Sequence, residues 1–182
     1  QNSYKTPDYA YFNDSFRDAV KGPTFFDVER GYISGNFHLR SSVINGLLGK
    51  ESWACDPYQR INYCEAHDNL TLWDKLSLSA SGSNLRDRKK MARLAAALVL
   101  LSQGVPFLHA GQEFLRSKDM GNGEFDHNSY RSPDSVNSMK WYMLDENGSE
   151  AEYIKELIAF RKAHPLLRMS AHEEVEDHSE VM

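Results

Sequence analysis

Along the chain, short apolar runs alternate with stretches of helical period and long polar connections. The first run, Tyr9-Ala10-Tyr11-Phe12, passes into Asn13-Asp14 and predicts a strand and a polar turn, followed by a helix over residues 15–21 stopped by Gly22-Pro23. Residues 24–57 mix aromatics, glycines and polar residues without a clear period and predict a long connection. Within it, Val43-Ile44-Asn45-Gly46-Leu47-Leu48-Gly49 is a candidate short helix with a glycine stop. Arg60-Ile61-Asn62-Tyr63-Cys64-Glu65-Ala66 alternates in part and predicts a second strand, ending abruptly at His67-Asp68-Asn69. Met91, Leu94, Ala95, Leu98 and Leu101 recur at helical spacing, which predicts a helix over 87–103 ended by Gly104. A third strand is predicted over Val105-Pro106-Phe107-Leu108-His109-Ala110, its proline near the start, where a missing donor is tolerated. Residues 111–141 are rich in loop formers, and a last helix is expected over 151–163, before His164-Pro165.

Strand, loop, helix in repeated order predicts an α/β fold with a parallel sheet, and polar insertions after the strands are where TIM barrels carry their active sites. A full barrel needs about 250 residues and eight strands. Three strands therefore predict the C-terminal portion of a (β/α)8 TIM barrel, incomplete in this chain, over residues 1–165. Residues 166–182 are expected to begin a following β domain or to form a disordered tail.

Composition narrows the function classes. With 182 residues, 41% of them hydrophobic, the chain is long enough to bury a core of ordinary domain size. The net charge of −5, with Lys and Arg spread rather than collected on one stripe, argues against a nucleic-acid partner and suits a neutral polar one. No apolar run reaches the length of a membrane span. The amino-terminal residues lack the charged and apolar regions of a signal peptide and do not begin with Met, which suggests a start lying upstream. Cys55 and Cys64 have no Cys-x-x-Cys spacing and support neither a disulfide framework nor a zinc site. The compartment stays open, with the bacterial cytoplasm favoured over a secreted or cell-surface location.

His67-Asp68-Asn69 is the leading candidate for chemistry. A carboxylate where a strand gives way to a loop is placed to stabilise a developing positive charge, and the neighbouring imidazole to bond a hydroxyl. The alternative is that Asp68 and Asn69 cap the following turn, since both residue types form turns readily. The stretch Asn62-Tyr63-Cys64-Glu65-Ala66-His67-Asp68-Asn69-Leu70-Thr71-Leu72-Trp73-Asp74-Lys75-Leu76 resembles the fourth conserved segment of type I pullulanases, in the α-amylase superfamily. Phe12-Asn13-Asp14-Ser15-Phe16-Arg17-Asp18-Ala19 with Lys21-Gly22, and Ser102-Gln103-Gly104-Val105-Pro106-Phe107-Leu108-His109-Ala110-Gly111-Gln112-Glu113-Phe114, resemble the same family in the same order. So does Asn128-Ser129-Tyr130-Arg131-Ser132-Pro133-Asp134-Ser135-Val136-Asn137 leading to Trp141.

The resemblance implies a glycoside hydrolase of α-1,6 branch links in pullulan, glycogen or starch, acting with retention. It implies that Asp68 stabilises the oxocarbenium-like transition state, that His67 hydrogen-bonds the same sugar, and that Asn69 and Asp134 contact substrate. Asp134 is also well placed for a turn. Tyr130, in a polar loop, is the candidate stacking platform, whereas Trp73 is expected to pack beneath the His-Asp motif. Retaining glycosidases need two carboxylates about 5 Å apart, a nucleophile and an acid/base. Neither family motif for them occurs here, so the segment alone is expected to be inactive. Glu65 sits two positions before His67, hence on its side of the strand, but is not a catalytic position in the family pattern.

Two metal-like patterns carry little. His109 and Glu113 are four apart, but a glycine turn separates them. Asp119-Met120-Gly121-Asn122-Gly123-Glu124-Phe125-Asp126 is rich in oxygen ligands for calcium, yet departs from the EF-hand spacing. No cofactor is therefore predicted. The alternatives are an isoamylase-like, branching or amylolytic enzyme, or a non-catalytic α-glucan-binding barrel. Open sheet edges also predict self-association of the segment.

Overall fold

A computed structural model describes residues 3–181. Three short strands, β1 (Tyr11–Phe12), β2 (Arg60–Asn62) and β3 (Val105–Pro106), form one parallel sheet in the order β1-β2-β3. Tyr11 pairs with Arg60, and Ile61 with Val105. The helices are α1 (Asp14–Lys21), α2 (Arg40–Leu48), α3 (Leu72–Ser79), α4 (Leu85–Leu101), α5 (Asp134–Asn137), α6 (Tyr142–Ala163) and α7 (His172–His178). This is an α/β arrangement, and parallel strands joined by helical crossovers bring all three carboxyl ends to one side of the sheet.

The elements follow from local chemistry. Asn13 starts α1 by accepting the Phe16 amide, and Gly22, at φ 99°, ends it where a side chain would meet the Glu29 carbonyl. Asn84 caps α4 by accepting the Asp87 amide. Helix α3 had no separate expectation. Its eight residues are too few for a clear period, and its sign is the pair Thr71 and Asp74, whose amide the Thr71 hydroxyl accepts at 3.1 Å.

The second strand is shorter than its pattern suggests. Pairing runs out just past Asn62, whose carbonyl accepts the Phe107 amide, while its side-chain amide donates to Ser102 Oγ and the Gln103 carbonyl. Beyond that point the chain leaves the pleat, so the alternation of period two that would place Glu65 beside His67 no longer applies. Helix α6 also begins earlier than residue 151, continuing through a kink at Asn147 beside Gly148.

Two apolar clusters lie behind the sheet. The larger joins Phe16, Ala19 and Val20 of α1, Val43 of α2, Leu72 and Leu76 of α3, and Ala92, Ala95 and Val99 of α4 with Cys64 and Leu115. The smaller joins Ala96 and Leu100 of α4 to Ile154 of α6. Helix α4 is thus buried through Ala92, Ala95, Ala96, Val99 and Leu100, and Leu94 of the expected stripe is exposed. The carbonyls at its end are satisfied by Arg161, which donates to Leu100, Ser102 and Gly104 at 2.6–2.8 Å. Residues 166–181 carry the rest of a 3-10 turn that begins at Pro165 and then α7, with no strand in that stretch.

Candidate active site

The carboxyl ends of the three strands open into a cleft of about 540 Å³. Phe12 ends β1, Tyr63 follows β2 and Phe107 follows β3, and their rings meet edge to face at centroid distances of 5.0–6.2 Å. These apolar rings form one wall. Ala66, His67, Asp68 and Asn69 form another. The predicted triplet is therefore brought together, at the place where a parallel sheet presents ligand-binding groups.

Asp68 and His67 are both open to solvent, with side chains 74% and 83% exposed, and His67 Nε2 lies 3.5 Å from Asp68 Oδ1. Asn69 adopts φ 60°, the left-handed conformation that asparagine tolerates, and its amide donates to the His127 carbonyl at 3.0 Å. Tyr130 and Asp134 do not line this cleft. Tyr130 is exposed beneath the Arg131 guanidinium, and Asp134 opens α5 on the connection after β3.

Further residues outside the candidate set line the cleft. Asp14, Arg17 and Lys21 reach it from the start and inner face of α1. The Tyr63 hydroxyl donates to Asp14 Oδ1 and accepts from Arg17, both at 2.6 Å. Burial, reinforced by the Asp14 bond, pushes the Tyr63 phenol up to about 12. Lys21, only 3% exposed, is pushed down to about 8 by burial, with Arg17 adding to the effect. Asp14 and Tyr63 lie just past strand ends, whereas Arg17 and Lys21 reach the cleft from α1, a placement that local pattern does not show.

The charged residues behind the triplet hold its frame. Glu65, 1% exposed, faces inward, away from the exposed His67. It accepts the Leu72 amide at 2.5 Å and lies 2.8 Å from His109 Nδ1, while His109 Nε2 is 3.3 Å from an Arg116 nitrogen. An imidazole donating through Nδ1 and accepting at Nε2 satisfies both contacts. Glu113 turns back onto the Gly111 amide, so His109 and Glu113 have separate partners. Trp73 packs against the core under the Arg88 guanidinium.

The calcium candidate is a closed turn of its own. Asp119 accepts the Gly121 amide, Asn122 the Glu124 amide, and Asp126 the Asn128 amide and the Ser132 hydroxyl. Among the described residues, no group of three or more His, Cys, Asp and Glu side chains is placed to hold a metal.

No family model matches the chain. The pullulanase of Bacillus subtilis (strain 168) is 40% identical over 187 residues, an alignment that takes in 100% of this chain and 25% of the relative. The chain is homologous to pullulanases along its full length. A solved pullulanase from Anoxybacillus sp. LM18-11, complexed with maltotetraose, superimposes with a TM-score of 0.92 at 41% identity, covering 100% of this chain and 26% of that one. An isoamylase from Flavobacterium sp is 30% identical over 195 residues, 92% of this chain and 24% of the relative. The chain thus spans about a quarter of the length of these pullulanases and of the isoamylase.

Proposed function

We propose that this chain is a segment of a retaining glycoside hydrolase that cleaves α-1,6 branch links in pullulan, glycogen or starch. On this reading its three strands are the C-terminal part of a (β/α)8 barrel over residues 1–165, and 166–182 lead into a following domain. The observation that carries it is the His67-Asp68-Asn69 triplet at the carboxyl end of a parallel strand, facing a cleft, in a chain homologous to pullulanases from end to end.

As glycosidic cleavage proceeds, positive charge builds on the anomeric carbon and ring oxygen. The Asp68 carboxylate, presented at the cleft wall, lowers the energy of that charge more than it lowers the energy of the neutral ground state, which is the condition for acceleration. His67 donates to a hydroxyl of the same sugar, and Asn69 lies beside it. Tyr130 and Asp134, outside this cleft, serve a more distant glucose unit, Tyr130 by stacking. Nucleophile and acid/base come from outside the segment, so the segment alone is inactive.

Homology to an isoamylase supports a second reading, a neighbouring α-glucan specificity using the same His-Asp pair. Assaying the complete protein on pullulan and on linear amylose separates them. Reducing ends released from pullulan and not from amylose support debranching. Turnover of amylose alone moves the assignment to amylolysis, and binding without turnover of either to a non-catalytic α-glucan-binding barrel.

A further inference from the structure

We propose that Lys118 is a positioning residue for Asp68: its buried ammonium draws together the two carbonyls that flank Asp68 and so fixes the direction from which that carboxylate enters the cleft. The proposal rests on the role given to Asp68 above. Lys118 Nζ donates to the His67 carbonyl at 2.5 Å and to the Asn69 carbonyl at 2.8 Å. Asp68 is the residue between them, and its own side chain has no packing to define it, being 74% exposed with one ring nitrogen at 3.5 Å. Its aim must therefore come from its backbone. That backbone passes into a left-handed residue, Asn69, whose amide is taken by the His127 carbonyl, and the two charge-assisted bonds from Lys118 hold the carbonyls of the same turn.

Lys118 is itself held. Its amide donates to Asp74 Oδ2 at 2.9 Å, and the Ser117 hydroxyl to Asp74 Oδ1 at 2.5 Å. Asp74 is fully buried in the first turn of α3, so the frame runs from a packed helix through Asp74 to residues 117–118 and from Nζ to the triplet. Two carbonyls need only donors, which a neutral group or water supplies at far smaller desolvation cost than an ammonium only 1% exposed. What the ammonium adds is two strong bonds from one atom, closing both sides of Asp68 at once. Groups that must sit within fractions of an ångström of their productive place depend on such supports.

In the complete enzyme proposed above, Lys118→Met keeps the aliphatic stem and removes the ammonium. The expected result on pullulan is a fall in kcat of about 100-fold with KM within about threefold, because misplacement of a group used mainly in the transition state costs turnover more than binding. Amide hydrogen exchange at Asn69, whose amide donates to the His127 carbonyl, should accelerate by more than about tenfold while α4 amides keep their protection. Unchanged kcat, or exchange that rises equally in α4, overturns the proposal. If the variant does not fold, lysine side-chain NMR of the unsubstituted protein decides: hydrogen-bond couplings from Lys118 Nζ to the carbonyl carbons of residues 67 and 69 are expected, and their absence overturns it. Failure of the unsubstituted enzyme to cleave pullulan would count against the function alone, since the exchange and NMR results judge Lys118 independently.

Discussion

At the scale of single residues, the Asp68 side chain is 74% exposed and meets one imidazole nitrogen at 3.5 Å, while the backbone on either side of it is held by Lys118. Asp68 was visible as a carboxylate where an apolar stretch stops, and the homology along the chain supports the catalytic over the capping reading. Lys118 and Asp74 had no local sign, because the bonds joining them to each other and to the triplet span more than forty positions. Glu65 was misplaced by extending the strand period past Asn62. Lys21 shows how burial becomes measurable. Burial pushes it down to about 8 from the ordinary lysine value of 10.5, so between those values the unfolded chain binds more protons and stability rises with pH. From about pH 9 the Cys64 thiol, and above about pH 10 the Tyr63 phenol, both pushed up to about 12 by burial, act in the opposite sense. Urea midpoints should therefore increase from pH 8 to pH 9, and Lys21→Met should flatten that slope. An equal slope in the variant would mean that Lys21 is not buried as an ammonium.

At the scale of elements, α1 and α4 were legible from their asparagine caps and apolar spacing, and α2 from its glycine stop alone. The strands were legible in place but not in extent, since two or three paired residues leave little alternation to read. Helix α3 was hidden by its length, and the kink at Asn147 hid the start of α6. Helices α1 and α2 pack closely through a glycine. Gly46 faces the Phe16 ring so closely that a Cβ there would lie 2.1 Å from the ring. Gly46→Ala should destabilise the chain by about 1–3 kcal/mol through overpacking, in spite of alanine's better helix propensity. Thermal or urea unfolding checks this, and a stabilised variant would refute the packing.

At the scale of the whole molecule, the α/β class followed from the order of elements, whereas the barrel did not, because closure needs more strands than the three among the described residues. The sheet has three strands, so β1 and β3 each leave one edge unpaired. Phe12, Phe25, Phe26 and Phe37 are exposed, and apolar surface of this kind favours association. The isolated chain should therefore show a concentration-dependent molar mass in light scattering after size exclusion, and a constant monomer mass over a hundredfold dilution would contradict this.

The central claim is that Asp68 carries charge stabilisation in α-1,6 glucan hydrolysis, and one substitution in the complete protein tests it. Asp68→Asn removes the charge, keeps the size and touches no packed contact, so folding should be unaffected. The measurement is kcat on pullulan beside an unchanged unfolding midpoint. The account predicts a loss on the order of 1,000-fold or more, since electrostatic stabilisation of the transition state is usually the largest catalytic term. Turnover within about tenfold of the unsubstituted enzyme would contradict it and return Asp68 to the role of a turn residue.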